Sequence, residues 1–145
     1  MLLLAPAPGR YLEGALIGVA TAALAGLAWW GVSALTGVQI SYLAALVGLL
    51  VGNGVLIGTR RGGAVPAAVA AVVVLVALAV SQYFIERSLA IEDLGADLPL
   101  WRDLAFARTV VTESVRNEPI LGLMWLLAGL VAVATTGSPR RRAVL

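Results

Sequence analysis

Apolar residues run almost unbroken through four stretches of the chain, Leu12 to Leu35, Ile40 to Ile57, Val65 to Ile85 and Pro119 to Thr135, and polar residues collect between them. Each stretch approaches the roughly 17 to 25 residues with which a helix crosses the hydrocarbon core of a bilayer. Inside lipid the backbone N–H and C=O groups find no water, so a spanning segment must bond to itself as a helix. The pattern predicts an all-α membrane protein: a four-transmembrane-helix bundle with spans at about 12–35, 40–57, 65–85 and 119–135, in one integral membrane domain over 1–145. Between the third and fourth spans, residues 86–118 change period. From Leu100 to Arg116, Leu100, Leu104, Ala107 and Val111 share a face that Trp101, Ala105 and Val115 extend, while Arg102, Asp103, Thr112, Glu113 and Arg116 take much of the rest. That spacing predicts a short amphipathic helix on the extracytoplasmic side. Trp101, Leu104 and Val111 are its candidate interfacial or partner-binding residues.

Small residues mark where the spans should touch. The second span carries two small-xxx-small pairs, Gly48/Gly52 and Gly54/Gly58, and the first carries Gly14 and Gly18 at the same spacing, continued by Ala22 and Gly26. Between membrane helices apolar burial adds little, so close backbone approach at such residues supplies the attraction. Both readings of the pairs stay open: contacts within one chain, or a seam between two copies. Two amide side chains lie inside spans, Asn53 and Gln82, at different depths; each needs a carbonyl, a hydroxyl or water.

Charge gives the expected orientation. Arg10, Arg60, Arg61, Arg140, Arg141 and Arg142 fall on one side of four crossings, whereas Arg87, Arg102, Arg108 and Arg116 fall on the other among seven carboxylates. The positive-inside rule counts Arg and Lys, which places both termini and the Arg60/Arg61 loop in the cytoplasm. Residues 1–10 lack the basic start of a cleavable signal and read as a tail before an uncleaved span. Trp29, Trp30 and Trp101 lie where an outer aromatic belt would, and Asn117, Glu118 and Pro119 read as the capped start of the last span.

Composition narrows the chemistry. The chain has 61% hydrophobic residues, no Cys and no His, which removes disulfides, thiolate zinc and every His-dependent base. No ionisable residue stands in the middle of a span, where a proton-coupled carrier would need one. Glu13 lies near the start of the first span, a poor position for the buried acid of a small-multidrug-type carrier, which stays a minor alternative. The acidic stretch Glu86, Glu92, Asp93 and Asp97 lacks the spacing of a calcium loop and reads as solvated charge. The ten Arg are scattered without interleaved aromatics, so nucleic acid is not an expected partner. No catalytic residues, cofactor site or metal site are expected.

The stretch YLAALVGLLVGNGVLIGTRRGGAVPAA, Tyr42 to Ala68, together with NEPILGLMWLLAGLVAVA, Asn117 to Ala134, resembles small uncharacterised bacterial four-span membrane proteins. In these a glycine-patterned second span leads into a basic Gly loop and another apolar helix. Some carry an N-terminal zinc ribbon, which this chain has no Cys to form. The resemblance implies the fold and a multi-pass place in the bacterial cytoplasmic (inner) membrane, and supplies no activity. With the bilayer as the expected environment, the expected role is that of a non-enzymatic scaffold, assembly factor or accessory subunit with a membrane-protein partner. The alternative is a small homo-oligomeric transporter or pore with Asn53 and Gln82 near its route.

Overall fold

The computed structural model describes residues 8–95 and 99–137. They form five α-helices: α1 Pro8–Thr36, α2 Leu43–Thr59, α3 Ala64–Leu94, α4 Leu104–Asn117 and α5 Pro119–Gly137, with one 3-10 turn at Leu100–Arg102. Helices α1, α3 and α5 are long and apolar enough to span a membrane, and α2 is a shorter apolar helix of 17 residues. The chain is therefore a small multi-pass membrane protein.

Helix α2 lies between α1 and α5, and α3 closes the other side by packing on both of those helices and on α2. The order of contacts fixes the directions. Gly58 meets Gly14 and Gly54 meets Thr21, so α1 and α2 are antiparallel; Gly48 meets Ala128 and Gly52 meets Ala132, so α2 and α5 are parallel. The buried residues follow helical stripes, Gly14, Gly18, Ala22, Gly26, Trp29 and Ser33 on α1 and Ala70, Val74, Leu78, Ser81, Gln82 and Ile85 on α3. Val47, Val51 and Val55 of α2, Leu121 of α5 and Leu78 and Ile85 of α3 fill the centre. The other helix faces present large apolar side chains outward, as lipid requires: Leu24, Leu27, Val72, Val76, Leu126 and Leu130 are all exposed.

The two glycine pairs of α2 thus serve two different neighbours within the same chain. A Cβ at Gly58 would stand 2.5 Å from the Cα of Gly14, and one at Gly48 would overlap the backbone of Ala128. These are backbone-to-backbone contacts that only a missing side chain permits.

Helix boundaries differ from the sequence expectation: α1 is helical from Pro8 and not only from Leu12, α2 starts at Leu43 because Ile40 to Tyr42 belong to the turn, and three further places differ. Helix α3 does not stop near Ile85: it continues to Leu94, because SQYFIERSLAIEDL contains no breaker, and charged residues beyond the apolar run do not interrupt a helix. It ends at Gly95, which takes the left-handed conformation, φ 59°, and returns its N–H to the Ile91 carbonyl at 3.3 Å. Most of the acidic stretch is therefore helical, with Asp97 outside the described residues. The single helix expected over Leu100–Arg116 is instead a 3-10 turn and α4. Asp103 sits between them in an extended conformation, and its carboxylate accepts from the Ala105 N–H at 2.9 Å, capping α4. The cap at the start of α5 shifts by one residue: Glu118 accepts from the Gly122 N–H at 3.2 Å, and Pro119 takes the first helical position.

At the other end of the bundle, the tight α2–α3 loop is fastened to α5. The Gly63 N–H donates to the Thr136 carbonyl at 2.8 Å. Arg60 closes α2 in a left-handed conformation, φ 57°, with its N–H on the Leu56 carbonyl at 2.9 Å.

Substituting Gly48→Leu should lower the stability of the detergent-solubilised protein by about 3 kcal/mol or more, since overpacking here displaces backbone. Gly129→Leu, at a site with nothing within 4 Å of an added Cβ, should change it by less than about 0.5 kcal/mol. Reversible unfolding in mixed micelles measures both, and equal effects would remove the α2–α5 contact as a source of stability.

Candidate functional site

A cluster of amide and carboxylate side chains gathers at the end of the bundle away from the Arg60/Arg61 loop. Gln82 is fully enclosed, and burial of an amide in an apolar bundle is costly unless its groups are bonded. It bonds reciprocally with Gln39 of the α1–α2 loop: Gln39 Nε2 donates to Gln82 Oε1 at 2.8 Å, and Gln82 Nε2 donates to Gln39 Oε1 at 3.2 Å. The second Gln82 N–H reaches the Glu86 carboxylate, one turn further along α3, at 2.8 Å. Beside this cluster Trp29, 1% exposed, donates its indole N–H to the Ile40 carbonyl at 3.1 Å. The α1–α2 loop is thereby held down by one bond from α1 and two from α3.

This placement corrects the reading of Trp29 as an outer belt residue. Its ring faces the bundle because the stripe that starts at Gly14 and Gly18 continues through it, and the stripe packs against α2 at Gly14 and Gly18 and against α3 at Gly26. Trp30, one residue on, points the other way and donates to the Ser88 hydroxyl at 2.8 Å. The indole N–H of Trp125 is also enclosed, with no partner among the described residues.

Asn53 and Gln82 are not brought together. Asn53 donates to the Leu49 carbonyl of its own helix at 2.8 Å, so its amide serves α2. The hydroxyls behave in the same way: Thr21, Thr59, Thr135 and Thr136 each bond the carbonyl four residues back. Such bonds satisfy a polar group in lipid without a cross-helix partner.

Helix α4 is the exposed element. It has no buried residue; Phe106, Ala107, Val110, Val111, Ser114 and Val115 form a half-buried face toward the bundle. Leu104 lies off that face, 84% exposed, and Leu100 is exposed as well. Trp101 is buried, with its ring 5.7 Å from Tyr83 of α3 and 5.3 Å from Phe106 of α4. The expectation that Trp101 and Leu104 anchor side by side is therefore corrected. The break at Asp103 turns the two residues apart, so that Trp101 fastens the segment to α3 while Leu104 projects outward.

Among the described residues no three acidic groups stand close enough to hold a metal ion. Glu86 is engaged by Gln82, and Glu92 and Asp93 are exposed. The chemistry available to the polar cluster is amide-to-amide and amide-to-carboxylate hydrogen bonding, which fixes a loop. Sequence reasoning identified Gln82 but missed Gln39 and Glu86 as its partners. A four-residue spacing on one helix could have suggested Glu86; nothing local points to Gln39. No family model matches this chain, and neither does a curated protein nor a solved structure.

A double-mutant cycle with Gln39→Ala and Gln82→Ala should give a coupling energy of about 0.6 kcal/mol, and up to roughly 1.7 kcal/mol, the span seen for polar pairs between membrane helices. Unfolding in micelles reads it, and strict additivity would mean that the pair does not form.

Proposed function

We propose that this chain is a four-span, non-enzymatic membrane protein that works as a scaffold, assembly factor or accessory subunit and meets its partner through α4. The observation that carries the reading is the division of surfaces. The glycine pairs that could have formed a seam between copies are occupied inside the chain, whereas Leu104 and Leu100 stand exposed on a segment fastened to the bundle by Trp101. Apolar anchors of this kind carry most of the energy of protein interfaces. The filled centre of Val, Leu and Ile side chains and the bond of the Asn53 amide to its own helix favour this role over a pore that would use Asn53 and Gln82.

Four crossings are supported by the course of α2. It follows α1 from the level of Trp29, where the loop is tied, to the level of Gly14, about 22 Å along the helix axis. It touches α5 at Gly48 and Gly52 and α1 at Gly54 and Gly58, and its loop to α3 carries Arg60 and Arg61. The Arg distribution supports cytoplasmic termini in a bacterial inner membrane.

Single cysteines at Arg61 and Asp93, both exposed, should react with an impermeant reagent from opposite sides, Asp93→Cys in intact cells and Arg61→Cys only after lysis. Labelling of both in intact cells would end the four-span reading. For the partner, Leu104→Glu should abolish copurification of a stoichiometric membrane protein from mild detergent while leaving the melting temperature unchanged. An unchanged set of copurifying proteins would remove α4 as the docking element.

A further inference from the structure

Between α1 and α3 runs an apolar groove of about 710 Å³, lined by residues of those two helices alone. Its floor is built of small buried residues, Ala22 and Gly26 of α1 and Ser81 of α3; its rims are large exposed ones, Leu27 and Val76 among them. Along α3 it extends from Val72 to Arg87, about 22 Å at helical rise. Arg87 is the one charged residue in the lining, and it closes one end beside Trp30 and Phe84.

The position of that arginine is informative. It follows the start of α3 at Ala64 by 23 residues, about 34 Å, slightly more than a hydrocarbon core of about 30 Å, so it lies at headgroup level. Trp30, bonded to Ser88, stands at the same level, where indole rings prefer to lie. Among the described residues no carboxylate lies within salt-bridge distance of Arg87. The opposite wall can supply none, because α1 carries no charge from Gly14 to Thr36. A half-buried guanidinium at the mouth of a long apolar slot calls for an anion that has an apolar tail.

We propose that the α1/α3 groove binds a glycerophospholipid, one acyl chain lying along the floor of small residues and the phosphate paired with the Arg87 guanidinium. Guanidinium and phosphate match in geometry and can form two parallel charge-assisted hydrogen bonds. A second copy of the chain fits the groove less well. A two-fold axis along the membrane normal would bring both Arg87 side chains to one depth on facing surfaces, with like charges opposed.

The test is native mass spectrometry of the full chain extracted in mild detergent, followed by reconstitution in nanodiscs containing phosphatidylglycerol with brominated acyl chains. Contact with bromine quenches indole fluorescence, and the difference between wild type and Trp30→Phe isolates the groove. Wild type should retain one phospholipid per chain and show Trp30 quenching. Arg87→Gln should retain about tenfold less lipid, the effect of losing a charge-assisted hydrogen bond, and Arg87→Lys should recover most of it. Ala23→Phe, at an exposed lining position, should block the slot and lose both lipid and quenching with Arg87 intact. Equal retention in wild type, Arg87→Gln and Ala23→Phe would overturn the proposal. So would loss in Ala23→Phe alone, which removes the phosphate pairing, or a dimer that Ala23→Phe dissociates, which makes a second copy the occupant.

Discussion

In a bilayer, helices gain little by hiding apolar surface from one another, because lipid chains are as apolar as leucine. What holds this bundle together is close approach of backbones, and α2 is where that approach is concentrated. Its Gly54 and Gly58 admit α1 through Thr21 and Gly14, and its Gly48 and Gly52 admit α5 through Ala128 and Ala132. The two pairs are offset on the helix, so a single short helix serves two neighbours at an angle. Once α1 and α5 are set on α2, α3 has one place left, against both of them, and the valines of α2 meet Val74 and Leu78 at the centre.

The two ends of the bundle are secured by different means. At the Arg60/Arg61 end, backbone does most of the work: a tight loop whose Gly63 N–H reaches α5, joined by the Thr59 hydroxyl on the Arg61 carbonyl. At the other end side chains do it, through the Gln39–Gln82–Glu86 cluster and the Trp29 indole. These side-chain locks lie at the end of the apolar run of α3, and Tyr83 on the same turn is the seat for Trp101 and hence for the α4 segment.

The functional reading follows from what this packing consumes and what it leaves. Glycine pairs, the threonine hydroxyls of the spans and both intramembrane amides are engaged within the chain. Two surfaces remain with unmatched chemistry: the projecting leucines around α4, and the α1/α3 slot with Arg87 at its mouth. One is apolar and extends out from the bundle end, which suits a protein partner; the other is apolar with a single cation at headgroup depth, which suits a lipid.

Much of the architecture was legible in the chain itself. The length of the apolar runs set the helices, because backbone polar groups in lipid must bond internally, and the four-residue spacing of Gly48/Gly52, Gly54/Gly58 and Gly14/Gly18 marked the close contacts, because only small residues permit them. The tertiary structure decided which glycine pair meets which helix. It also decided that Trp29 turns inward while Trp30 turns out, that Gln39 closes on Gln82, and that Trp101 and Leu104 part company at Asp103. The physical reason is one and the same. Periodicity defines faces relative to a helix's own axis, but in a bilayer the core-facing and lipid-facing sides are both apolar, so hydropathy carries no signal for rotation and only the neighbouring helices can set it.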